Sequence, residues 1–214
     1  MLNVSSDRLP PDAQPTDAFR QVMRGCASSV AIVSSAEDGV AAGIVATAVM
    51  SVAMEPPALV VCINRSSSCH ALLMRRRAFT VNFLSSGQAG YASQFHRSKA
   101  EDRFRGEEWA FLNSDEAVIP GLPFLVDAQA SVFCWAEEPI EAYTHTLFIG
   151  CVAAVRLGHG VDPLLYCEGR YGRFEVLQGE AGLVKHEEIP DLDGWIDHFN
   201  AKQTTHLATR DFPL

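Results

Sequence analysis

Hydrophobic positions along the chain recur mostly with a period of two or in short continuous runs. Such runs cover residues 29–34, 40–47, 58–64 and 79–84, then 128–135, 147–155 and 164–168, the pattern of short β-strands. Turn chemistry separates them at Glu37-Asp38-Gly39 and at Glu55-Pro56-Pro57. Helical spacing is confined to a few places. Phe19, Val22 and Met23 fall at i, i+3 and i+4 behind Thr16, which predicts a capped helix over 17–24 whose apolar face packs on the body of the fold. A second helix is expected over 68–77, with a serine cap and Ala71, Leu72 and Met74 turned inward, and a third over 86–96. The stretch 97–115 is rich in charge and is expected to end in a loop. Many short strands, few helices and no run of βαβ units favour an antiparallel barrel over a doubly wound sheet.

The ends differ from the middle. Residues 1–15 are polar and proline-rich and are expected to form a mobile arm; the folded domain is expected over 16–184. In the extension 185–214, Trp195, His198 and Phe199 share helical spacing, which predicts a short amphipathic helix docked on its own barrel or on a dimer partner. Composition acts mainly by exclusion. A chain of 214 residues, 48% hydrophobic and 20% charged, has the makings of one globular core. Lysine and arginine total 17 against 26 acidic residues, and the net charge of −9 argues against a nucleic-acid partner. The longest apolar runs, 58–63 and 146–155, are about half the length of a membrane-spanning helix. The N-terminus lacks the apolar core of a secretory signal, so the expected location is the cytoplasm. The cysteines at 26, 62, 69, 134, 151 and 167 form no C-x-x-C pair, which favours reduced core residues and disfavours a zinc site.

Three segments carry candidate chemistry. Residues 43–57, GIVATAVMSVAMEPP, are dominated by small side chains, which either let a flat ring approach the backbone and its N–H donors or simply pack a strand end. Asn64-Arg65-Ser66-Ser67-Ser68 stands directly before the second predicted helix. Hydroxyls, backbone N–H groups and a guanidinium converge there on a phosphate, or one serine caps the helix. His145 opens a strongly apolar strand and is either structural or catalytic on that placement alone. No G-x-G-x-x-G is present, so any dinucleotide has to bind by another geometry than the Rossmann turn.

Motifs in a fixed order then narrow the reading. Phe19-Arg20 is followed by the strand Ala27 to Ser34, of the type A-T-G-V-T-V-V-T, and by Gly43 to Pro57, of the type G-M-T-A-N-[AS]-F-x-S-V-S-x-x-P-P. Val81-Asn82-Phe83-Leu84 matches V-N-x-L, Tyr143 to Gly150 matches G-D-H-T-L-F-I-G, and Pro163 to Tyr166 with Gly169-Arg170-Tyr171 matches P-L-L-Y followed by G-x-Y. Over residues 19–174 the chain resembles the short-chain flavin reductases, the reductase partners of two-component monooxygenases, and Val61 to Ser67 is also similar to the flavin reductase of the pyrimidine-utilisation pathway. The departures are specific. Val45 and Thr47 replace the motif's threonine and asparagine, Ser28-Ser29 replaces T-G, and Thr144 replaces the aspartate before the histidine.

The resemblance implies a mainly β fold, a Greek-key split β-barrel of the FMN-binding type with a few packing helices. It implies an enzyme that uses NADH or NADPH to reduce FMN or FAD, works as a homodimer and supplies reduced flavin by diffusion to a flavin-dependent monooxygenase. It assigns the isoalloxazine to Ser28, Ser29, Val30 and the backbone of Val45, Ala46, Thr47 and Ala48, with Ser51 close by. The phosphate falls to Asn64, Arg65, Ser66 and Ser67, Asn82 supports the flavin from an adjacent strand, and His145 and Tyr171 line the nicotinamide opening, with His145 as the catalytic residue. A flavin-binding barrel without turnover is the alternative from another class. The pyridoxamine-phosphate oxidases are a weaker one, because their substrate-binding basic residues have no match here.

Overall fold

A computed structural model of the chain describes residues 15–112, 118–158 and 160–176. The expected N-terminal arm before residue 15 and the expected C-terminal helix lie outside the described residues. The chain runs through α1 (Pro15–Arg24), β1 (Ser28–Ser29), β2 (Ala31–Glu37), β3 (Val40–Ala46), β4 (Val49–Met54), β5 (Pro57–Asn64), α2 (His70–Arg76), β6 (Ala78–Phe83) and α3 (Ala89–Arg97). It continues through β7 (Trp109–Phe111), β8 (Pro123–Leu125), β9 (Ala130–Ala136), β10 (Ile140–Ala142), β11 (His145–Leu157), β12 (Leu164–Cys167) and β13 (Arg170–Arg173).

An eight-stranded antiparallel sheet takes the order β3-β2-β6-β9-β11-β5-β4, with β10 paired to β11 off that path. Its two outer strands, β3 and β4, are separated in the chain only by Thr47 and Ala48. Such a link spans at most about 11 Å, so the sheet has to curl until its edges meet at that corner. The corner is held from inside by the hydrogen bond from Cys62 N to Ala48 O at 3.0 Å. A barrel split between β3 and β4 results, in agreement with the expected class. A second sheet, β1-β12-β13, continues from the start of β2, and β7 pairs with β8.

Side-chain alternation explains the curl. On β5, Leu59, Val61 and Ile63 turn inward; on β11, Thr146, Phe148, Gly150 and Val152 do so until a bulge between Val152 and Ala154 breaks the register. The interior cluster contains Val33, Val61, Phe79 and Phe148. The neighbouring β2 side chain, Ile32, faces the other way into a second cluster with Phe95, Trp109 and Leu164. Burial on both faces is why β2 reads as a continuous apolar run rather than an alternating one. Each such fully buried side chain contributes about 1.5–3 kcal/mol.

Two expectations are corrected. The apolar face of α1 does not pack on the barrel: Phe19 is 66% exposed, Val22 65% and Met23 51%. Amphipathic spacing shows that a face is apolar, not what covers it. Helix α2 begins two residues later than expected, with Cys69 at its N-cap, so Leu72 and Leu73 are buried while Ala71 is exposed. The charge-rich stretch also contains the strand β7, whose Trp109 is buried under α3, and the loop end expected after it falls from residue 113 outside the described residues. The run Arg75-Arg76-Arg77 closes α2, with Arg77 at φ 53°, Arg75 paired to Glu37 and Arg77 to Glu138. All six cysteines are free; Cys69 and Cys134 are buried, whereas Cys26 is exposed. Among the described residues no helix is long and apolar enough to cross a membrane.

Candidate functional site

Most of the predicted residues converge where β3 gives way to β4. In the β2–β3 ladder Ala31 faces Ala46, which sets Ser29-Val30 beside Thr47-Ala48. Thr47 and Ala48 are exposed, so the corner presents small side chains to solvent. Ala48 is tied to Cys62, two residues before the end of β5, and the last residue of β5, Asn64, lies opposite His145. The loop after β5 is then stitched to the hairpin before β11 by Arg65 N donating to Thr144 O at 3.0 Å. The small-residue corner, the serine-arginine loop and the histidine therefore share one end of the barrel.

Local geometry sorts the loop residues by what they have left to give. Asn64 Oδ1 accepts from Ser66 N at 2.9 Å and from Ser66 Oγ at 2.8 Å, an Asx turn that fixes the loop. Both Ser66 donors are thereby engaged, and Asn64 shapes the turn. The Ser67 hydroxyl lies 3.5 Å from Cys69 Sγ. Arg65 is exposed, with its guanidinium 3.4 Å from the Glu141 carboxylate. An exposed pair of that kind is worth about 0–1 kcal/mol and can be exchanged for an arriving anion. His145 Nδ1 lies 2.9 Å from Thr144 Oγ1, so a hydroxyl occupies the place of the family's carboxylate and Nε2 is the nitrogen left for a ligand.

On the other side of the corner, Ser28 pairs with Tyr166 and Tyr166 with Tyr171, which puts the three side chains in one row across the small sheet. The two tyrosine rings meet edge to face at 5.5 Å and both are partly exposed. Tyr166 was not singled out from the sequence, although the P-L-L-Y motif contains it. His70 was also missed: its Nε2 lies 2.9 Å from Thr146 Oγ1 and its ring meets Phe148, fastening α2 to β11 behind His145.

Several predicted residues stand apart. Asn82 is fully buried: its amide nitrogen donates to Ile32 O and Ser34 Oγ, and its oxygen accepts from Leu125 N and Ser131 Oγ, at 2.9–3.1 Å. No polar valence remains for a flavin, so Asn82 is a structural node joining β2, β6, β8 and β9. Val30 is 1% exposed, its N–H donates to Leu164 O and its carbonyl accepts from Leu84 N, so it offers no contact either. The Val45 side chain packs on the second core cluster, and Ala46 is buried. Ser51 is exposed on the outer strand β4, opposite Leu59. Exposed small residues on the same barrel end as an exposed cation, with an aromatic pair across the corner, suit a flat, phosphate-bearing heterocycle.

Residues 23–175 match the model of the flavin reductase like domain. The FMN reductase (NADH) RutF of Pseudomonas syringae pv. syringae (strain B728a) is 35% identical over 164 residues, covering 76% of this chain and 89% of that one. The reductase component of a 4-nitrophenol 4-monooxygenase/4-nitrocatechol 2-monooxygenase from Rhodococcus opacus is 36% identical over 165 residues, covering 75% and 83%. Among solved structures, a flavin reductase domain protein from Arthrobacter sp. FB24 superposes with a TM-score of 0.69 at 25% identity, covering 77% of this chain and 99% of that one.

Proposed function

The chain belongs to the flavin reductase like domain family, and from that premise we propose that it reduces a flavin with NADH at the barrel end formed by Thr47-Ala48, Arg65 and His145. The observation that carries this reading is the convergence of those three segments, distant in sequence, through the Ala48–Cys62, Asn64–His145 and Arg65–Thr144 pairings. When both nucleotides are bound, the chemistry supplied is hydride transfer from nicotinamide C4 to flavin N5.

The protein's own part is binding and orientation. Thr47 and Ala48 leave room for the ring system beside Ser28 and Ser29. Arg65 takes the phosphate, since the Ser66 donors are already used within the turn. His145, oriented through Nδ1 by Thr144, presents Nε2 to the nicotinamide side, and Tyr171 against Tyr166 forms an aromatic lip. The product serves a flavin-dependent monooxygenase by diffusion; a monooxygenase partner is supported by the name of the Rhodococcus relative, the reductase component of a monooxygenase. A homodimer fits as well, because Met50, Val52 and Met54 on β4 and Phe19, Val22 and Met23 on α1 leave apolar surface that a second copy would cover. With free thiols throughout, the cytoplasm is the fitting compartment.

Purified protein mixed anaerobically with FMN or FAD and excess NADH tests the reading. Flavin absorbance should bleach over many turnovers; bleaching limited to one equivalent of protein, or none, would leave a flavin-binding barrel without catalysis.

A further inference from the structure

Tyr143 forms the tip of the β10–β11 hairpin, and nothing in the fold calls for an aromatic ring there. Its side chain is in water, at 99% exposure. Its φ is 55°, in the left-handed region that is unfavourable for a bulky residue. The two hairpin turns after β2 and β12 use Asp38-Gly39 and Glu168-Gly169 at their positive-φ positions, with the polar and small residues that such turns favour. The motif matched by residues 143–150 has glycine at this position. A ring that is both exposed and conformationally disfavoured gains nothing from the described residues, so its partner has to come from elsewhere.

Its position says what that partner is. Tyr143 is followed by Thr144, whose carbonyl accepts from Arg65 N and whose hydroxyl holds His145 Nδ1. The ring thus stands on the rim between the phosphate-reading loop and the histidine. On the reading of the site given above, we propose that Tyr143 is a stacking contact for the adenine ring of a dinucleotide bound at this end of the barrel. A tyrosine suits the task. Its flat face takes any purine, its hydroxyl stays hydrated in the free protein, and only two side-chain torsions are frozen on contact. Two adenine-bearing molecules meet here, FAD and NADH, and each has a counterpart without adenine, FMN and reduced nicotinamide mononucleotide.

Tyr143→Gly and Tyr143→Phe separate the sources. Flavin affinities are read by fluorescence titration with FMN and FAD, and donor use by KM for NADH and for the reduced mononucleotide. Tyr143→Gly should fold at least as stably as the parent, since glycine relieves the positive φ, and should weaken one adenine-bearing ligand by about 10-fold while leaving both mononucleotides unchanged. Tyr143→Phe should retain the parent's values. A loss confined to FAD assigns the ring to the flavin's adenine, and a loss confined to NADH assigns it to the donor's. Unchanged values for all four ligands overturn the assignment, as does a shift in the monomer–dimer ratio by light scattering without any change in ligand binding. Arg65→Ala, read on FMN against riboflavin in the same assay, reports separately on the site. Equal loss for those two ligands would remove the phosphate reading, whatever Tyr143 does.

Discussion

At the scale of single residues, the candidate site divides into groups with free valences and groups without. Arg65→Ala should weaken FMN binding more than riboflavin binding, by the roughly 1.5–3 kcal/mol of a charge-assisted hydrogen bond, and parallel titrations check it. His145→Ala should slow NADH-driven reduction about 10- to 100-fold with flavin affinity little changed, as seen by stopped-flow reduction of flavin-saturated protein; an unaltered rate would make the histidine structural. Asn82 should behave in the opposite way. Asn82→Ala strands Leu125 N and the Ser131 hydroxyl in a dry core, and should cost at least about 1–3 kcal/mol in a urea titration while leaving the folded fraction's flavin affinity intact. Gly150 is constrained by space. An added Cβ would lie 2.6 Å from Phe79 Cζ and 2.7 Å from Cys134 Cβ, so Gly150→Ala should destabilise by about 1–3 kcal/mol. His145 was singled out in the sequence by motif order and Arg65 by the serine-arginine cluster, and the fold brings the two segments to one end of the barrel. Asn82 was misread because a polar residue in a strand looks the same whether it meets a ligand or closes a buried network.

Among elements, legibility followed burial. Strands β5, β6 and β9 have at least one buried face and announce themselves by apolar alternation or runs, whereas β4 does not: Met50, Val52 and Met54 are all exposed, with Ser51 exposed between them. An apolar outer strand whose inward phase is only half-buried at Val49 and Ala53, and polar and exposed at Ser51 between them, shows no alternation to betray it. The same openness on α1 leaves two uncovered apolar patches, and light scattering at micromolar protein should report a homodimer. Val52→Lys with Met54→Lys should shift it toward monomer with no loss of far-ultraviolet β signal, if β4 is the contact. A monomer already in the parent would mean that these faces are covered by something else. The short β10 was invisible for another reason. It has three residues and pairs only with the start of β11, yet it positions Glu141, Tyr143 and His145 together.

The whole molecule stores its ionisable groups unevenly. Burial pushes the Cys134 and Cys69 thiols up, and burial also raises Tyr91 to about 12 despite the hydrogen bond it accepts from Trp109 Nε1. The folded state therefore holds protons that the unfolded chain releases above about pH 8.5 for cysteine and about pH 10 for tyrosine. Their contribution is fully present below those values and is lost as pH rises, so the urea midpoint should fall steadily from pH 8.5 to 10.5. Cys134→Ala should flatten that slope, and an equally steep decline in the variant would point to other groups. The barrel class was legible from strand count and turns, but the small second sheet was not, because the pairing of β1 with β12 joins Ser28 to Tyr166 and no local pattern records a partner so far along the chain. That pairing also governs the order of events during synthesis. Among the described residues strand β1, which flanks the proposed flavin corner, finds its only ladder partner in residues 165–166, and β5 and β9 gain their second partner only with β11. A nascent chain released before residue 164 holds every strand of the large sheet but cannot build the small sheet, whose Tyr166 and Tyr171 flank the proposed site, and contacts of such long sequence separation place folding in the slow, millisecond-to-second regime of barrel topologies.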